Sequence, residues 1–245
     1  MNLSKISISG SSSGLGRYIY NNILEDFKVY KYDRTTNVAQ SNDIFLHCAW
    51  DTKFESTGIH YINSHLNTID LIRRVPQKRF MFISSIDVYP KDKKVHCEEE
   101  KIDDRNIGIY GLTKYLVEEK VKRLYPNNHL ILRCGYLLGQ YSNNSITKWY
   151  KREQINLSHK STFNVITYEI VLEFIKRAIK NNWHGTYNIV AKDCIKLGLV
   201  KNRGAFKYKT PIISDIKLST KAPDLSKTSN KNIDDWRNTW LKNES

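Results

Sequence analysis

Lys5-Ile6-Ser7-Ile8-Ser9-Gly10-Ser11-Ser12-Ser13-Gly14-Leu15-Gly16 is the stretch from which the rest of the chain is read. Its first five residues are a short buried strand. The glycines then make a turn, and Arg17-Tyr18-Ile19-Tyr20-Asn21-Asn22-Ile23-Leu24 follows as a helix, with Leu15, Ile19 and Ile23 on its apolar face. Strand, glycine-rich turn and helix in immediate succession is the context in which such a turn holds a phosphate. Gly10 permits the tight turn. Gly14 and Gly16 let a pyrophosphate approach the backbone and the helix pack close to the strand. The start of the helix adds free N–H groups and a partial positive charge. Gly10, Ser12, Ser13, Gly14, Leu15 and Gly16 are therefore the candidate phosphate contacts. A plain flexible turn would use the same residue types.

Moving outward, the spacing GxxxGxG is a variant of the Rossmann fingerprint. Phe27-Lys28-Val29-Tyr30-Lys31-Tyr32 reads as the second strand and ends in Asp33-Arg34. Asp33 lies 17 residues after Gly16, near the place of a carboxylate that binds the adenosine ribose of NAD. Arg34 could instead hold the 2′-phosphate of NADP. The next strand is Asp43-Ile44-Phe45-Leu46-His47-Cys48-Ala49-Trp50. The nine residues from Arg34 to Asn42 span about 30 Å when extended. That is enough to run back along a strand and too little for a helix plus another strand. The expected fold is thus α/β: a Rossmann-type doubly wound parallel sheet lacking the outer third strand, with a small C-terminal substrate lobe. Residues 1–140 would form the NAD(P)-binding core. Residues 141–245 would form the lobe, with Phe163 to Ile189 returning to the core and a basic C-terminal segment.

Residues 57–75 read as a helix and Arg79-Phe80-Met81-Phe82-Ile83-Ser84 as a buried strand. Ser85 stands at that strand's carboxyl end, where open α/β sheets bind ligands; a turn-capping serine is the commoner use of the residue. Tyr110-Gly111-Leu112-Thr113-Lys114 opens the amphipathic helix that continues through Val121. Four residues of spacing put phenol and ammonium on one helix face, about 6 Å apart. A lysine held there is expected to favour the phenolate and lower a pKa that is ordinarily about 10. The pair could then exchange a proton with a sugar hydroxyl or carbonyl. The spacing alone is common, since the chain has 15 tyrosines. Tyr89 and Lys93 repeat it, but across Pro90. An ordinary surface pair remains the alternative.

Asn144 to Lys151 reads as a short helix and Phe163 to Ile166 as a strand. Tyr168 to Ile179 carries a helical apolar stripe, and Asn232 to Leu241 reads as a terminal helix with Asn232 as its cap. The 245 residues suffice for one large domain, and no apolar run reaches the length of a membrane span. The first nine residues are too polar for a secretion signal. Cys48, Cys97, Cys134 and Cys194 have no CxxC spacing, which points to reduced thiols in a cytoplasm and against a structural zinc. His47 and Cys48 are strand neighbours on opposite faces, a poor metal pair. The net charge of +14 is spread along the chain, the pattern of a lysine-rich solvated surface rather than a nucleic-acid tract.

Together these segments resemble the extended branch of the short-chain dehydrogenase/reductase superfamily, the NAD-dependent epimerase/dehydratase family of nucleotide-sugar enzymes. The likeness runs to about residue 190. Asp43 to Trp50 resembles its D-x-V-x-H-x-A-A strand, which would put His47, Cys48 and Ala49 beside the cofactor. Ser84-Ser85-Ile86-Asp87-Val88-Tyr89 resembles S-S-x-x-V-Y, with Ser85 at the catalytic Ser/Thr position. Tyr110 and Lys114 match YxxxK. Leu132 to Gly139 resembles L-R-P-x-N-V-Y-G, and Gly185-Thr186-Tyr187-Asn188-Ile189 resembles G-x-x-Y-N-I. Departures are Cys134 for proline, Tyr136 for an asparagine that often meets substrate, and Ile86-Asp87 for the dehydratases' Asp-Glu.

The resemblance implies a nucleotide-sugar oxidoreductase using NAD, with NADP open. Ser85, Tyr110 and Lys114 would be catalytic, Lys114 also bonding the ribose. Asp87, Tyr136, His159 and Lys160 are the candidate substrate contacts. A 4-keto sugar reductase is the first expectation and a C4 epimerase with tightly bound NAD the second. The third is a non-catalytic RNA- or protein-binding member of the fold. Relatives often dimerise through the Tyr110 helix and the helix near 57–75, so a homodimer is expected.

Overall fold

The computed structural model describes residues 4–23, 27–33, 42–51, 58–75, 77–92, 94–151, 153–155, 157–199, 217–218, 221–222 and 227–239. In chain order the elements are β1 (Lys5–Ser9), α1 (Gly14–Asn22), β2 (Lys28–Tyr32), β3 (Asn42–His47), α2 (Ile59–Arg74) and β4 (Gln77–Ser85). Then come β5 (Val95–His96), α3 (Ile109–Leu124), β6 (His129–Cys134), β7 (Tyr136–Leu138) and α4 (Ser145–Tyr150). Next are β8 (Thr162–Phe163), β9 (Val165–Thr167), α5 (Tyr168–Lys180) and β10 (Gly185–Ile189). The last are β11 (Ile195–Lys196), β12 (Lys217–Leu218) and α6 (Ser229–Thr239).

Six strands form one sheet in the order β10-β6-β4-β3-β1-β2, and every pair in it is parallel. The chain moves outward from β1 to β2, then crosses back so that β3 lies on the other side of β1. That reversal makes the crevice where such sheets bind ligands. Among the described residues β2 is the edge on its side, as the short Arg34–Asn42 link led one to expect.

Side-chain alternation divides the interior in two. Ile6, Ile8, Ile44, Leu46, Met81, Ile83, Leu130 and Leu132 point to one face and pack under α1 and α5. Phe45, Phe80, Phe82 and Ile131 point to the other and pack under α2 and α3. The central strands are buried on both faces, as parallel strands under two helical layers must be. Phe45, Phe80 and Phe82 are each fully buried, worth about 1.5–3 kcal/mol apiece.

A third apolar cluster builds the small lobe. It joins Leu138 of β7, Ile146, Trp149 and Tyr150 of α4, Val165 of β9, and Ile233 and Trp236 of α6. Asn144 caps α4, accepting from the N–H groups of Ile146 at 3.1 Å and Thr147 at 3.2 Å. α6 differs from the expectation. It starts at Ser229, so Asn232 lies inside it and is no cap. The Asn232 amide donates to the Val165 carbonyl at 2.7 Å, while Ser229 Oγ accepts from the Val165 N–H at 3.0 Å. Both polar side chains are fully buried, and they bond an otherwise open strand edge, although the Asn232 Oδ1 has no hydrogen-bond partner among the described residues. Trp240 and Leu241, read as part of that helix, lie outside the described residues, as does most of the basic C-terminal segment. Among the described residues no helix is long and apolar enough to cross a membrane.

Candidate functional site

β4 ends at Ser85, and the chain turns at once into a single 3-10 turn over Ile86–Val88. Ser85 caps that turn: its Oγ accepts from the Asp87 N–H at 3.2 Å and donates to Asp87 Oδ2 at 3.2 Å. Tyr110 in the first turn of α3 reaches the same place: Gly111 beside it lies on the Asp87 carbonyl, and Asp87 and Ser85 both act on its phenol. The Tyr61 ring of α2 meets the Tyr110 ring edge-on, with centroids 5.2 Å apart. The expected pair of Ser85 and Tyr110 is therefore assembled at the carboxyl end of the sheet, with Asp87 as a third member.

The electrostatics differ from the expectation. The Tyr110 phenol is raised above its ordinary range, by burial first and then by the Asp87 carboxylate, with the Ser85 hydrogen bond opposing. Burial outweighs any lowering by Lys114. Lys114 Nζ donates to the Ile83 carbonyl at 2.8 Å and lies 4.0 Å from the Trp50 ring centre and 4.8 Å from that of Phe82. Lys114 is buried, and desolvation brings its ammonium down to about 7. Trp50 occupies the second alanine position of the D-x-V-x-H-x-A-A pattern, and nothing in the spacing revealed that its ring would lie on the lysine.

His47 is buried and held at both nitrogens, Nδ1 by Ser9 Oγ at 2.6 Å and Nε2 by Thr68 Oγ1 at 2.8 Å. Thr68 Oγ1 donates to the Ser64 carbonyl at 2.8 Å, so it accepts from Nε2–H, and Nδ1 accepts from Ser9. Burial, then the nearby Lys114, lowers His47 to about 3. It is a neutral strut tying β1 and β3 to α2. Burial raises the Cys48 and Cys134 thiols to about 12, too high for reactive thiolates.

At the phosphate turn, Gly10 has φ +73°, and a Cβ there would lie 2.6 Å from the Ala49 nitrogen. Only glycine both makes the turn and lets the chain after β3 pass over it. Gly16 is buried against the Gly10 carbonyl and Cys48. Leu15 gives its side chain to the core, and Ser12 and Ser13 are exposed. Ser13 stands at the N-cap of α1 without making a side-chain cap bond, and no acidic residue lies in the first turn. Uncapped N–H groups with no competing carboxylate fit a diphosphate. Asp33 is exposed just past β2, placed for a ribose; Arg34 lies outside the described residues. The indole N–H of Trp50 is buried and unbonded at the end of β3. These residues fit a nicotinamide dinucleotide.

The remaining candidates have other attachments. The Tyr136 hydroxyl accepts from the Ser145 N–H at 2.8 Å and so serves the start of α4. Its phenol is pushed up to about 12, mainly by burial. His159 and Lys160 are exposed on the turn between Ser158 and Ser161, whose backbone is stitched to Leu197 and Gly198. They sit on the lobe rather than on the elements that carry Ser85 and Tyr110.

Behind the site lies a buried network that the sequence reading did not anticipate. Glu118, one turn beyond Lys114 on α3, receives Arg133 of β6 at 2.7 Å and the Ser84 hydroxyl at 2.5 Å. Arg133 also donates to the Tyr89 hydroxyl at 2.7 Å, which lies 2.8 Å from Asn188 Oδ1 of β10. Glu118, Arg133 and Asn188 have no exposed surface. The one available signal was that Glu118 follows Lys114 by four residues, on the same helix face.

Residues 43–162 match the model of the NAD dependent epimerase/dehydratase family. No curated protein sequence matches the chain. The structure of a dTDP-4-dehydrorhamnose reductase from Clostridium acetobutylicum is similar, with a TM-score of 0.75 at 17% identity, covering 96% of this chain and 98% of that one. A dTDP-4-dehydrorhamnose reductase from Bacillus anthracis str. Ames, in complex with NADP, gives 0.74 at 18%, covering 96% and 99%. A UDP-N-acetylglucosamine 4-epimerase from Methanobrevibacter ruminantium M1, in complex with UDP-N-acetylmuramic acid, gives 0.73 at 14%, covering 100% of both chains. At such identities it is the fold that is shared.

Proposed function

Over residues 43–162 this chain belongs to the NAD dependent epimerase/dehydratase family, and from that premise we propose that it is an NAD(P)-dependent oxidoreductase of a nucleotide-linked sugar, specifically a 4-keto sugar reductase. The observation that carries this reading is a phenol kept protonated beside a serine at the carboxyl end of the central strand. A nicotinamide dinucleotide held by the start of α1, Asp33 and Lys114 would supply the hydride. Ser85 holds the sugar carbonyl oxygen, and Tyr110 gives its proton to that oxygen as it gains negative charge. Raised above its ordinary range, Tyr110 keeps that proton at neutral pH until it is needed. Lys114, shielded by Trp50 and fixed on the Ile83 carbonyl, is held in place to bond the ribose.

The likeness to a 4-epimerase over the whole of both chains supports a second reading, C4 epimerisation on the same residues. The two differ in cofactor use. A reductase consumes NAD(P)H, whereas an epimerase retains NAD. The test is the absorbance and mass of any dinucleotide released when the purified protein is denatured, together with NAD(P)H oxidation on nucleotide-linked 4-keto sugars. Turnover with no retained NAD is expected; stoichiometric NAD and no net oxidation would favour the epimerase. Tyr110→Phe should lower kcat by about 10²–10⁴-fold with the fold intact. Full activity in that variant would overturn the mechanism.

We propose a homodimer formed through α2 and α3. Ile59, Ile62 and Leu66 form one exposed face of α2, at 49%, 40% and 57% exposure, with Ile109 and Leu116 exposed on the adjoining α3. A second copy covering this face gives twice the monomer mass in sedimentation, and Leu66→Lys returns it to monomer. Free cysteines at 48, 97, 134 and 194 accord with work in a reducing cytoplasm.

A further inference from the structure

We propose that Trp50 is a cofactor-side residue with two tasks: its ring face positions the Lys114 ammonium, and its indole N–H binds the nicotinamide-bearing half of the dinucleotide. The proposal rests on the oxidoreductase reading above. It adds a contact at a position where the D-x-V-x-H-x-A-A pattern has alanine.

Trp50 lies between the two ends of the site. One residue before it, Ala49 passes over the glycine turn so closely that a Cβ on Gly10 would lie 2.6 Å from the Ala49 nitrogen. On the other side the Trp50 ring centre lies 4.0 Å from Lys114 Nζ. A dinucleotide whose phosphates lie on the glycine turn therefore reaches the rim of Ser85 and Tyr110 past this indole. The backbone around Trp50 is pinned at both ends. The Cys48 N–H donates to the Ser9 carbonyl at 3.2 Å, and the Asp51 N–H donates to Ser64 Oγ of α2 at 3.0 Å.

The ammonium sits in a cage of three walls. Phe82 is the second, 4.8 Å from Nζ, with its ring centre 6.0 Å from that of Trp50 and the planes inclined at 55°. The Ile83 carbonyl, 2.8 Å away, is the third. An aromatic face attracts the charge without taking up an N–H group as a carbonyl does. Among the described contacts one Lys114 N–H is bonded to Ile83, so two of its three donors remain for ribose hydroxyls. The titratable groups around the cage are His47 and Cys48 at the end of β3, Cys134 of β6 and Glu118 of α3. The indole N–H, for its part, is buried and has no partner among the described residues. A buried donor left unbonded carries a cost that only an acceptor removes. The nicotinamide half brings carboxamide and ribose oxygens, which are acceptors.

Two variants separate the tasks. Trp50→Phe keeps a ring face and loses the N–H, whereas Trp50→Leu loses both and stays apolar. In calorimetry Trp50→Phe should bind NADH or NADPH, whichever the parent binds, about tenfold more weakly. It should bind ADP as the parent does, because ADP lacks the nicotinamide half. Unchanged affinity for the reduced dinucleotide, or an equal loss for ADP, overturns the N–H contact. The lysine is read without any nucleotide. In protein carrying 13C-labelled lysine, with Lys114→Met identifying the resonance, the Lys114 midpoint of about 7 should hold in Trp50→Phe. In Trp50→Leu it should fall by about half a unit or more, since loss of the ring face disfavours the ammonium. A midpoint that Leu does not lower, or that Phe lowers as far as Leu does, overturns the positioning task. A parent that binds ADP but neither NADH nor NADPH would overturn the oxidoreductase reading and the N–H contact with it. Equal dinucleotide binding by parent and Trp50→Phe overturns the contact alone.

Discussion

Ser84 and Ser85 are neighbours on β4, yet they serve two polar clusters built on opposite principles. Ser84 donates into the Glu118–Arg133–Tyr89–Asn188 network, where charges and hydroxyls are buried and paired. Ser85 bonds Asp87 beside Tyr110, where a raised phenol lies near a half-exposed carboxylate. α3 supplies both, with Tyr110 and Lys114 on the side of the chemistry and Glu118 one turn on for the network. The satisfied cluster has no proton to spare and holds three strands to a helix. The other cluster holds a raised phenol beside a carboxylate open to water. Polar residues in a single motif therefore divide between fold and chemistry according to whether their hydrogen bonds are complete.

The comparison breaks first, if it breaks, at the network. Glu118→Ala strands the Arg133 guanidinium in the interior and should cost about 3–5 kcal/mol in urea unfolding, with activity lost only in proportion to unfolded protein. A variant as stable as the parent would show that the pair is not what holds β6 to α3. The opposite sign is expected on the chemical side. Lys114 titrates at about 7 when folded and near 10.4 when unfolded, so between those values the unfolded chain binds more protons. Stability should therefore rise with pH across that window, by at most about 1.4 kcal/mol per pH unit from this group. Lys114→Met should remove that rise and be more stable than the parent at and below pH 7, while losing turnover. A flat comparison across pH 7–10 would place Lys114 among the satisfied groups. The smallest effect is expected at Tyr136, whose hydroxyl serves α4. Tyr136→Phe should cost about 1 kcal/mol in thermal or urea unfolding and leave KM for the sugar unchanged. A raised KM would return Tyr136 to the substrate side.

Local pattern made much of this legible. The glycine turn, the alternating strands and the Tyr110 helix follow from periodicity and turn chemistry within a dozen residues, and the expected elements lie where those patterns put them. The meeting of Ser85 with Tyr110 was also foreseeable, because strand ends in such a sheet share one rim. What failed were inferences about direction. Four residues of helical spacing put Lys114 on the face of Tyr110, but they could not say that the ammonium would bond the Ile83 carbonyl and lie over the Trp50 ring. Nor could spacing reveal that both nitrogens of His47 would be held by Ser9 and Thr68, 38 and 21 residues distant. Asn232 has cap chemistry, yet it bonds a strand edge 67 residues earlier.

The sequence by itself determined the order of elements, the glycine turn and the candidate proton donor, because each rests on interactions between near neighbours in the chain. Tertiary structure alone decided the protonation behaviour of that donor, the shielding of its lysine, the two-sided placement of Asp87 and the buried Glu118–Arg133 pair. Those depend on desolvation and on partners supplied by other elements, and the energy of a charge is set by what surrounds it rather than by its position along the chain.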